Sequence, residues 1–400
     1  MGGGAPGLAL AERMARLGTE TAFDVLARVN RLRDEGRDII SFGLGEPDFE
    51  TPDHIKRACA EALEAGYTHY GPSAGQSELR EAIAAYVSST RGVPLGPENV
   101  VVSPGAKPVI FGAMMALVNP GDEVIYPSPG YPIYESVADW IGARTVPARL
   151  REENHWSYDV DELASLVTAR TRMIVLNSPQ NPTGGMLLAD DMRAIAEIAL
   201  RHDLWVVADE VYSQIVFGEP FASIFSQPGM EHRTVLVDGF SKTYAMTGWR
   251  IGFGVCRADL AVRLARIETN LHSCTASMVQ RAALAALCGP QDESREMAAA
   301  FRRRARLVTS LLNDIEGVSC VAPRGAFYVF PNVTGACRRL GLPDANALCE
   351  HLLQEASVAV LPRTCFGRRL EGEEYIRLSF AASDEQITAG VARMKAAIER

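Results

Sequence analysis

Four short runs of apolar residues recur through the middle of the chain. They are Val100–Val102, Thr171–Leu176, Leu204–Ala208 and Thr234–Val237. Continuous apolar runs of this length are typical of strands that are buried on both faces of a parallel sheet. The segment Asp190–His202, between the second and third runs, predicts a helix. This alternation predicts an α/β unit with a largely parallel sheet.

Helical periodicity dominates the two ends of the chain. The segments predicted as helices are Leu8–Arg33, Thr51–Glu64, Leu260–Thr269, Met278–Leu287 and Arg295–Asn313. The last of them is rich in arginine, which is most simply explained by a solvated face. A short strand is predicted at Asp38–Phe42, before the second helix.

Composition narrows the possible partners. A net charge of -9 over 400 residues argues against binding to nucleic acid or to an anionic membrane. The eight cysteines are scattered without a C-x-x-C pair, which favours reduced thiols in a cytoplasmic protein. The seven histidines form no metal-binding motif, so we expect no metal. The segment Met1–Gly7 lacks the features of a signal peptide and is expected to be a loose terminus.

Chemistry is concentrated around Lys242, which follows a predicted buried strand in a turn of small residues. An amine in a partly dry turn loses part of its preference for the ammonium form and can bond covalently to a carbonyl. Arg250, eight residues later, could hold a phosphate with its planar guanidinium. Taken alone, such residues are more often a surface lysine and a structural arginine.

Two further strand ends carry candidate ligands. Val100–Val102 leads into Gly105, Ala106 and Lys107 at the start of a predicted helix, where free backbone N–H groups and the helix dipole suit a phosphate. Asp209 follows the apolar run that ends at Ala208. Doubly wound sheets place ligand-binding groups at this position.

The stretch 238–254 resembles the pyridoxal-phosphate lysine motif of the class I/II aminotransferases, because it reads S-K-T-Y-A-M-T-G-W-R-I-G from Ser241. Asn177–Gly184 is similar to the N-x-P-x-N-P-T-G motif of that family, and Tyr375–Ser379 to Y-[IV]-R-[LIF]-S. The resemblance extends from about Asp38 to Phe380 and is closest to the prokaryotic aspartate aminotransferase-like subgroup. Gly239 stands where many members of the family have serine.

This resemblance implies the fold type I architecture of pyridoxal-phosphate enzymes. A large domain would contain a mostly parallel seven-stranded sheet sandwiched by helices, and a smaller α+β domain would accompany it. The expected boundaries are residues 1–50 for an N-terminal arm and part of the small domain, 51–295 for the large cofactor-binding domain and 296–400 for the small C-terminal domain.

The resemblance also assigns residues to the cofactor, pyridoxal 5'-phosphate. Lys242 would hold it as a Schiff base and then act as general base, while Asp209 would keep its ring nitrogen protonated. Asn181 and Tyr212 would bind its phenolic oxygen, and Tyr131 would stack on its ring. The residues expected to surround its phosphate are Gly105, Ala106, Lys107, Arg250 and Tyr70.

The substrate is expected to bind beside the cofactor. Arg377 would hold the α-carboxylate with both guanidinium nitrogens, and the backbone at Gly45 would approach the same group. In the aspartate-type subgroup the lysine that matches Lys107 contributes to recognising a distal carboxylate. Asn181 is also expected to contact the substrate. We therefore expect an aminotransferase for an L-amino acid, of aspartate type or broader, and a 2-oxo acid.

Two alternatives remain at this stage. The same fold and cofactor also serve lyases and β/γ-replacement enzymes such as the aminocyclopropane-carboxylate synthases, which act on S-adenosylmethionine. A noncatalytic regulator on the same fold is a further alternative, although such chains usually carry a DNA-binding module and none is evident here.

The resemblance also implies a homodimer, because Tyr70 would reach the cofactor phosphate of the neighbouring subunit.

Overall fold

The computed structural model describes residues 9–400. The expected loose terminus, Met1–Gly7, and Leu8 at the start of the first predicted helix lie outside this range. The described helices are α1 (Ala22–Asp34), α2 (Asp53–Glu64), α3 (Ser77–Arg91), α4 (Lys107–Leu117), α5 (Ile133–Trp140), α6 (Val160–Ser165), α7 (Ala189–Arg201), α8 (Phe240–Thr243), α9 (Ala258–His272), α10 (Ser277–Cys288), α11 (Asp292–Asn313), α12 (Thr334–Arg339), α13 (Ala345–Glu355) and α14 (Asp384–Ile398). The described strands are β1 (Ile40–Ser41), β2 (Val100–Ser103), β3 (Glu123–Ser128), β4 (Arg144–Arg151), β5 (Ser157–Tyr158), β6 (Thr171–Asn177), β7 (Trp205–Asp209), β8 (Thr234–Gly239), β9 (Gly252–Val255), β10 (Tyr328–Val329), β11 (Val358–Ala359), β12 (Leu361–Pro362) and β13 (Ile376–Ser379).

The main sheet has eight strands in the order β2-β9-β8-β7-β6-β3-β4-β5. The row from β8 to β4 is parallel, and β9 runs antiparallel to both of its neighbours. The predicted α/β fold with a mostly parallel sheet is confirmed. The strand count of seven was one too low, because Ser157–Tyr158 adds an antiparallel edge strand against Leu150 and Arg151.

Helices cover both faces of this sheet. Successive side chains of a strand point to opposite faces, so each face of the sheet packs against its own layer of helices. In β6, Ile174 and Leu176 pack into a core with α7, whereas Met173 and Val175 pack into a second core with α4, α5 and α9. Apolar residues therefore occupy every position from 173 to 176. This explains why the strand shows no polar alternation in the sequence.

Two small sheets lie outside the main one. The antiparallel sheet β10-β13-β12 shares a hydrophobic core with α11, α13 and α14, and β1 pairs in parallel with β11. Tyr212, from the loop after β7, belongs to the same core. The loop that follows a central strand of the main sheet is thereby joined to the small antiparallel sheet. The boundaries of the two domains stay predictions.

One expectation for the helices was wrong. The first predicted helix is interrupted, because residues 12–16 form a short 3-10 helix and α1 begins only at Ala22. Gly18 lies in the break, and glycine is a poor helix former. The arginines of the predicted helix Arg295–Asn313 are exposed, as expected, except Arg304, which is buried and pairs with Asp48 and Asp384. None of the described helices combines the length and the apolar character needed to cross a membrane.

Candidate functional site

A cavity of about 550 Å³ opens at the carboxyl ends of the central parallel strands. Asn177 ends β6 and Asp209 ends β7, while β8 leads through Gly239 into the short helix α8 that carries Lys242. Parallel strands bring such ends to one edge of the sheet, where open α/β sheets bind their ligands. The sequence-predicted residues that line the cavity are Gly45, Ala106, Lys107, Tyr131, Asn181, Asp209, Tyr212, Lys242, Arg250 and Arg377.

Lys242 is half-buried on the cavity wall. Its Nζ donates a hydrogen bond to the carbonyl oxygen of Gly45 at 2.6 Å. The rings of Tyr212 and Phe327 face the same nitrogen, with centroids at 6.0 and 5.7 Å. Burial disfavours the charged form and lowers the pKa of Lys242 to about 8. Near physiological pH a larger fraction of this amine is therefore in the neutral, reactive form than for a lysine in water.

Asp209 is buried at the floor of the site. Its Oδ2 accepts a hydrogen bond of 2.6 Å from the hydroxyl of Tyr134, which the sequence analysis did not identify. Burial raises the pKa of Asp209 to about 6, and the hydrogen bond from Tyr134 opposes that rise. The carboxyl group is thus positioned to be an anion at neutral pH and to pair with a protonated nitrogen.

Gly105 and Arg250 lie against each other at the opening of α4. Gly105 has φ of +97°, and a Cβ at this position would overlap the guanidinium of Arg250. Arg250 donates from Nη1 to the carbonyl oxygen of Thr247 at 2.8 Å, and its side chain is otherwise exposed. Ala106 and Lys107 begin α4, so their backbone N–H groups lie at the positive end of its dipole. Together these groups form a cradle suited to a phosphate.

Arg377 of β13 is buried on the opposite side of the cavity. Its Nη1 donates to Oδ1 of Asn181 at 3.0 Å, and its Nη2 donates to the carbonyl oxygen of Gly43. Its Nε is buried and has no protein partner. Because an unpartnered buried donor is costly, this orientation suits an arginine that binds an anionic ligand.

Tyr328 connects three predicted residues and was itself missed. Its hydroxyl lies 2.9 Å from that of Tyr212, and the guanidinium carbon of Arg377 lies 4.7 Å from its ring centroid. A Cβ on Gly45 would overlap the same hydroxyl, so only glycine fits at that position.

Glu20 is the third residue that the sequence analysis missed. It lies in the extended segment before α1, and its carboxylate forms an ion pair with Lys107. The hydroxyl of Tyr131 donates to the same carboxylate oxygen at 2.9 Å. The only sequence signal is its position two residues before α1, which would not have been sufficient to identify it.

Tyr70 does not line the cavity. Its side chain is 88% exposed on the surface of the chain. Across residues 9–400 there is no cluster of three or more histidine, cysteine, aspartate or glutamate side chains that could hold a metal ion.

Comparison with known proteins assigns this arrangement to a family. Residues 37–394 match the family model for aminotransferase class I and II. The chain is 39% identical to a probable aspartate/prephenate aminotransferase of Aquifex aeolicus and 37% identical to an aspartate aminotransferase of Musicola paradisiaca. These alignments cover 98% of each chain in the first case, and 97% of this chain and 96% of the relative in the second.

A solved structure gives the same answer at the level of the fold. The aspartate aminotransferase of Rhizobium meliloti superposes with a TM-score of 0.92 at 35% identity, over 98% of this chain and all of that one. These relatives are named as aminotransferases, so the lyase alternative is not favoured. Their family depends on pyridoxal 5'-phosphate. The chain belongs to the class I and II aminotransferases.

Proposed function

We propose that the cavity around Lys242 is the active site of an aminotransferase that exchanges an amino group between an L-amino acid, of aspartate type or broader, and a 2-oxo acid. The observation that carries this proposal is the position of Lys242, a half-buried amine with a lowered pKa that lines the same cavity as Asp209 and Arg377. Arg250 supplies a further cation near the Gly105 turn. One cavity thus contains a nucleophilic amine, an anion for a ring nitrogen and two separate anion-binding groups.

The cavity fits pyridoxal phosphate on its own geometry. A Cβ at Gly105 would overlap the guanidinium of Arg250. Because glycine has none, Arg250 can lie beside the start of α4, where a phosphate would bind. Asp209 lies on the floor, where a ring nitrogen would meet it. Asn181 accepts a hydrogen bond from Arg377 with Oδ1, so its Nδ2 is left to donate to a phenolic oxygen. Tyr212 presents a hydroxyl on the same side.

When bound, the cofactor supplies an aldehyde that condenses with amines and a protonated ring that withdraws electrons from the substrate. Lys242 then carries the proton transfers. Its Nζ would take the proton from the substrate's α-carbon as a general base and would later return a proton as a general acid. The pKa of about 8 suits both roles near neutral pH.

Arg377 orients the substrate for this transfer. Its guanidinium is held at two points, by Asn181 and by Gly43, so it presents a fixed fork to an α-carboxylate. The burial that lowers its pKa also excludes water, which strengthens its attraction for an anion. The carbonyl of Gly45, which accepts from Lys242, borders the same space.

We also propose a homodimer in which Tyr70 reaches the cofactor phosphate of the neighbouring subunit. Its support is the 88% exposure of this tyrosine, together with the exposed side chains of Tyr67 and Leu271. The N–H of Gly71 lies 3.4 Å from the Sγ of Cys274, so the loops after Tyr70 and Leu271 adjoin each other. Exposed large apolar side chains on adjoining loops are typical of a protein contact. The domain boundaries at 50/51 and 295/296 remain part of this proposal, as does a cytoplasmic location, which the eight free cysteines support.

Substitution of Lys242 by alanine tests the proposed function. The purified variant should bind the cofactor but lose at least about 10³-fold in turnover, since Lys107, the other lysine among the described cavity residues, is held in an ion pair with Glu20. The natural protein, treated with borohydride, should carry the cofactor covalently at position 242, as measured by peptide mass. The Lys107→Ala variant is the matched control for removing a cavity lysine, and it should keep the covalent label. Undiminished turnover in Lys242→Ala would reject the proposal.

A further inference from the structure

The residues that could contact the side chain of a substrate lie in one corner of the cavity. Four cations among the described residues line the cavity, and Lys242, Arg250 and Arg377 are assigned above to the aldehyde, the phosphate and the α-carboxylate. Lys107 is the remaining one. A distal carboxylate of an acidic substrate would therefore need Lys107 as its counter-charge.

Lys107 is already paired with a carboxylate of this chain. Glu20 forms an ion pair with its Nζ, and the hydroxyl of Tyr131 donates to the same oxygen at 2.9 Å. The Glu20 side chain is only 20% exposed. An acidic substrate would have to displace this carboxylate or bind beside it, and two carboxylates that share one site repel each other.

The backbone holds Glu20 in place. On its N-terminal side, Ser136 donates to the carbonyl oxygen of Gly18 at 3.2 Å. On its C-terminal side, its own carbonyl oxygen accepts from the N–H of Phe23 at 3.2 Å, and α1 begins at Ala22. The positive end of the α1 dipole also favours a carboxylate at this position.

The rest of this corner is apolar. The side chains of Phe23, Leu44, Ile110 and Phe366 line the cavity together with the ring of Tyr131. Such walls favour a side chain without charge, whereas a cationic side chain would meet Lys107 as well as Glu20. Glu20 thus neutralises the positive charge of Lys107, which would otherwise bind an acidic side chain.

We propose that Glu20 is a specificity-determining residue that masks Lys107 and directs the enzyme toward L-amino acids with uncharged, apolar side chains and away from aspartate and glutamate. The proposal rests on the aminotransferase function proposed above. It restricts the amino-acid substrates to those whose only carboxylate is the α-carboxylate.

The test compares half-reactions of the holoenzyme with L-leucine and with L-aspartate, followed by the change in cofactor absorbance. The natural protein should show a larger kcat/KM for L-leucine. In Glu20→Gln the aspartate-to-leucine ratio should rise by about tenfold or more, the effect of one like charge. In Glu20→Gln/Lys107→Met this rise should disappear, because Lys107 is the group that is unmasked.

Glu46→Gln is the matched control, because Glu46 also lines the cavity but bonds to Thr247 rather than to Lys107. An equal rise in this variant, or an unchanged ratio in Glu20→Gln, would overturn the assignment to Glu20. A natural protein that prefers L-aspartate would overturn it without any variant, so a misfolded Glu20→Gln does not block the test. Failure of every amino acid to convert the cofactor would instead reject the proposed function itself.

Discussion

At the scale of single residues, the surroundings of Lys242 determine its chemistry. A lysine in water has a pKa near 10.4, so only a small fraction is neutral at pH 7. Burial in the cavity lowers the pKa of Lys242 to about 8, and the nearby charges of Arg377 and Arg250 act in the same direction. Because an amine attacks an aldehyde only when deprotonated, the same burial makes the residue reactive.

The lowered pKa of Lys242 predicts how cofactor loading depends on pH. The neutral fraction of an amine with this pKa rises from about a tenth at pH 7 to about nine tenths at pH 9. The rate at which the apoprotein recombines with pyridoxal phosphate should therefore rise over this interval and level off above it. Stopped-flow absorbance measures the rate, with N-acetyl-lysine as the reference amine. A rate that keeps rising in parallel with this reference beyond pH 10 would contradict the prediction.

Tyr134 is expected to keep Asp209 ionised. Its 2.6 Å hydrogen bond stabilises the carboxylate, so Tyr134→Phe should raise the pKa of Asp209 further above its natural value of about 6. An aspartate is ionised above its pKa. The variant should therefore lose more cofactor affinity at pH 6 than at pH 8, by about fivefold if the pKa rises by one unit, as measured by equilibrium titration of the apoprotein.

Tyr158→Phe is the control for the loss of a buried tyrosine hydroxyl. The Tyr158 hydroxyl bonds to the carbonyl oxygen of Val175, and the residue does not line the cavity. This variant should change cofactor affinity equally at both pH values. The same uniform change in Tyr134→Phe would show that its hydroxyl does not tune Asp209.

Some site residues could be predicted from the sequence and others could not. The difference is whether the role of the residue depends on its local sequence or on contacts with distant residues. Lys242 and Asp209 each follow an apolar strand directly, so local sequence predicts their position at a sheet edge. Tyr134, Tyr328 and Glu20 acquire their roles through partners that are 75, 116 and 87 positions away. No local pattern predicts contacts over such separations, because the fold creates them.

At the scale of elements, α11 joins the loop around Gly45 through Arg304. The guanidinium of Arg304 donates to both carboxylate oxygens of Asp48, at 2.7 and 2.9 Å, and to Asp384. It also lies over the ring of Phe49, 5.0 Å from the centroid. The segment that contains Gly45, Asp48 and Phe49 is therefore fixed by a helix more than 240 residues away in the sequence.

Substitution of Arg304 by methionine should destabilise the protein. It leaves Asp48 partly buried without its partner, which should cost about 2–4 kcal/mol in the free energy of unfolding. Arg303→Met is the control, because Arg303 is the exposed neighbour on the same helix and also pairs with Asp384. That change should cost less than about 0.5 kcal/mol. Urea unfolding of the two variants measures both values, and equal losses would contradict the structural role of Arg304.

The elements differ in how well the sequence predicted them. Buried strands such as β6 were found because both of their faces pack against helices, which requires an unbroken apolar run. The first helix was extended too far toward the N-terminus, because the apolar spacing continues past Gly18. The helix α3 was not predicted, although Leu79, Ile83 and Val87 are buried along one face and Gly92 ends it with φ of +68°. Its start carries no side-chain cap that could have marked it.

At the scale of the whole molecule, the cavity draws on segments from the entire length of the chain. The N-terminal segment contributes Glu20, the main sheet contributes Asp209 and Lys242, and the small antiparallel sheet contributes Arg377. The remaining component predicted for the site is Tyr70, which its own chain leaves exposed. If Tyr70 serves the neighbouring subunit, an active site requires two chains.

Mixing two inactive variants tests this shared site. Tyr70→Ala should impair cofactor phosphate binding, and Lys242→Ala removes the reacting amine. In a hybrid dimer, the subunit with Tyr70→Ala keeps its own Lys242 and receives the natural Tyr70 from its partner, so one of the two sites is intact. After unfolding and refolding of an equal mixture, half of the dimers are hybrids, and turnover should recover to about a quarter of that of the natural protein.

The outcome separates two arrangements of the same residues. If Tyr70 acted within its own chain, every site in the hybrid would lack either Lys242 or Tyr70, and mixing would restore nothing. Each variant refolded alone provides the baseline, and size-exclusion chromatography shows whether hybrids have formed. Recovery that requires both variants would mean that one chain completes the phosphate site of the other, so that dissociation of the dimer at low protein concentration should release the cofactor.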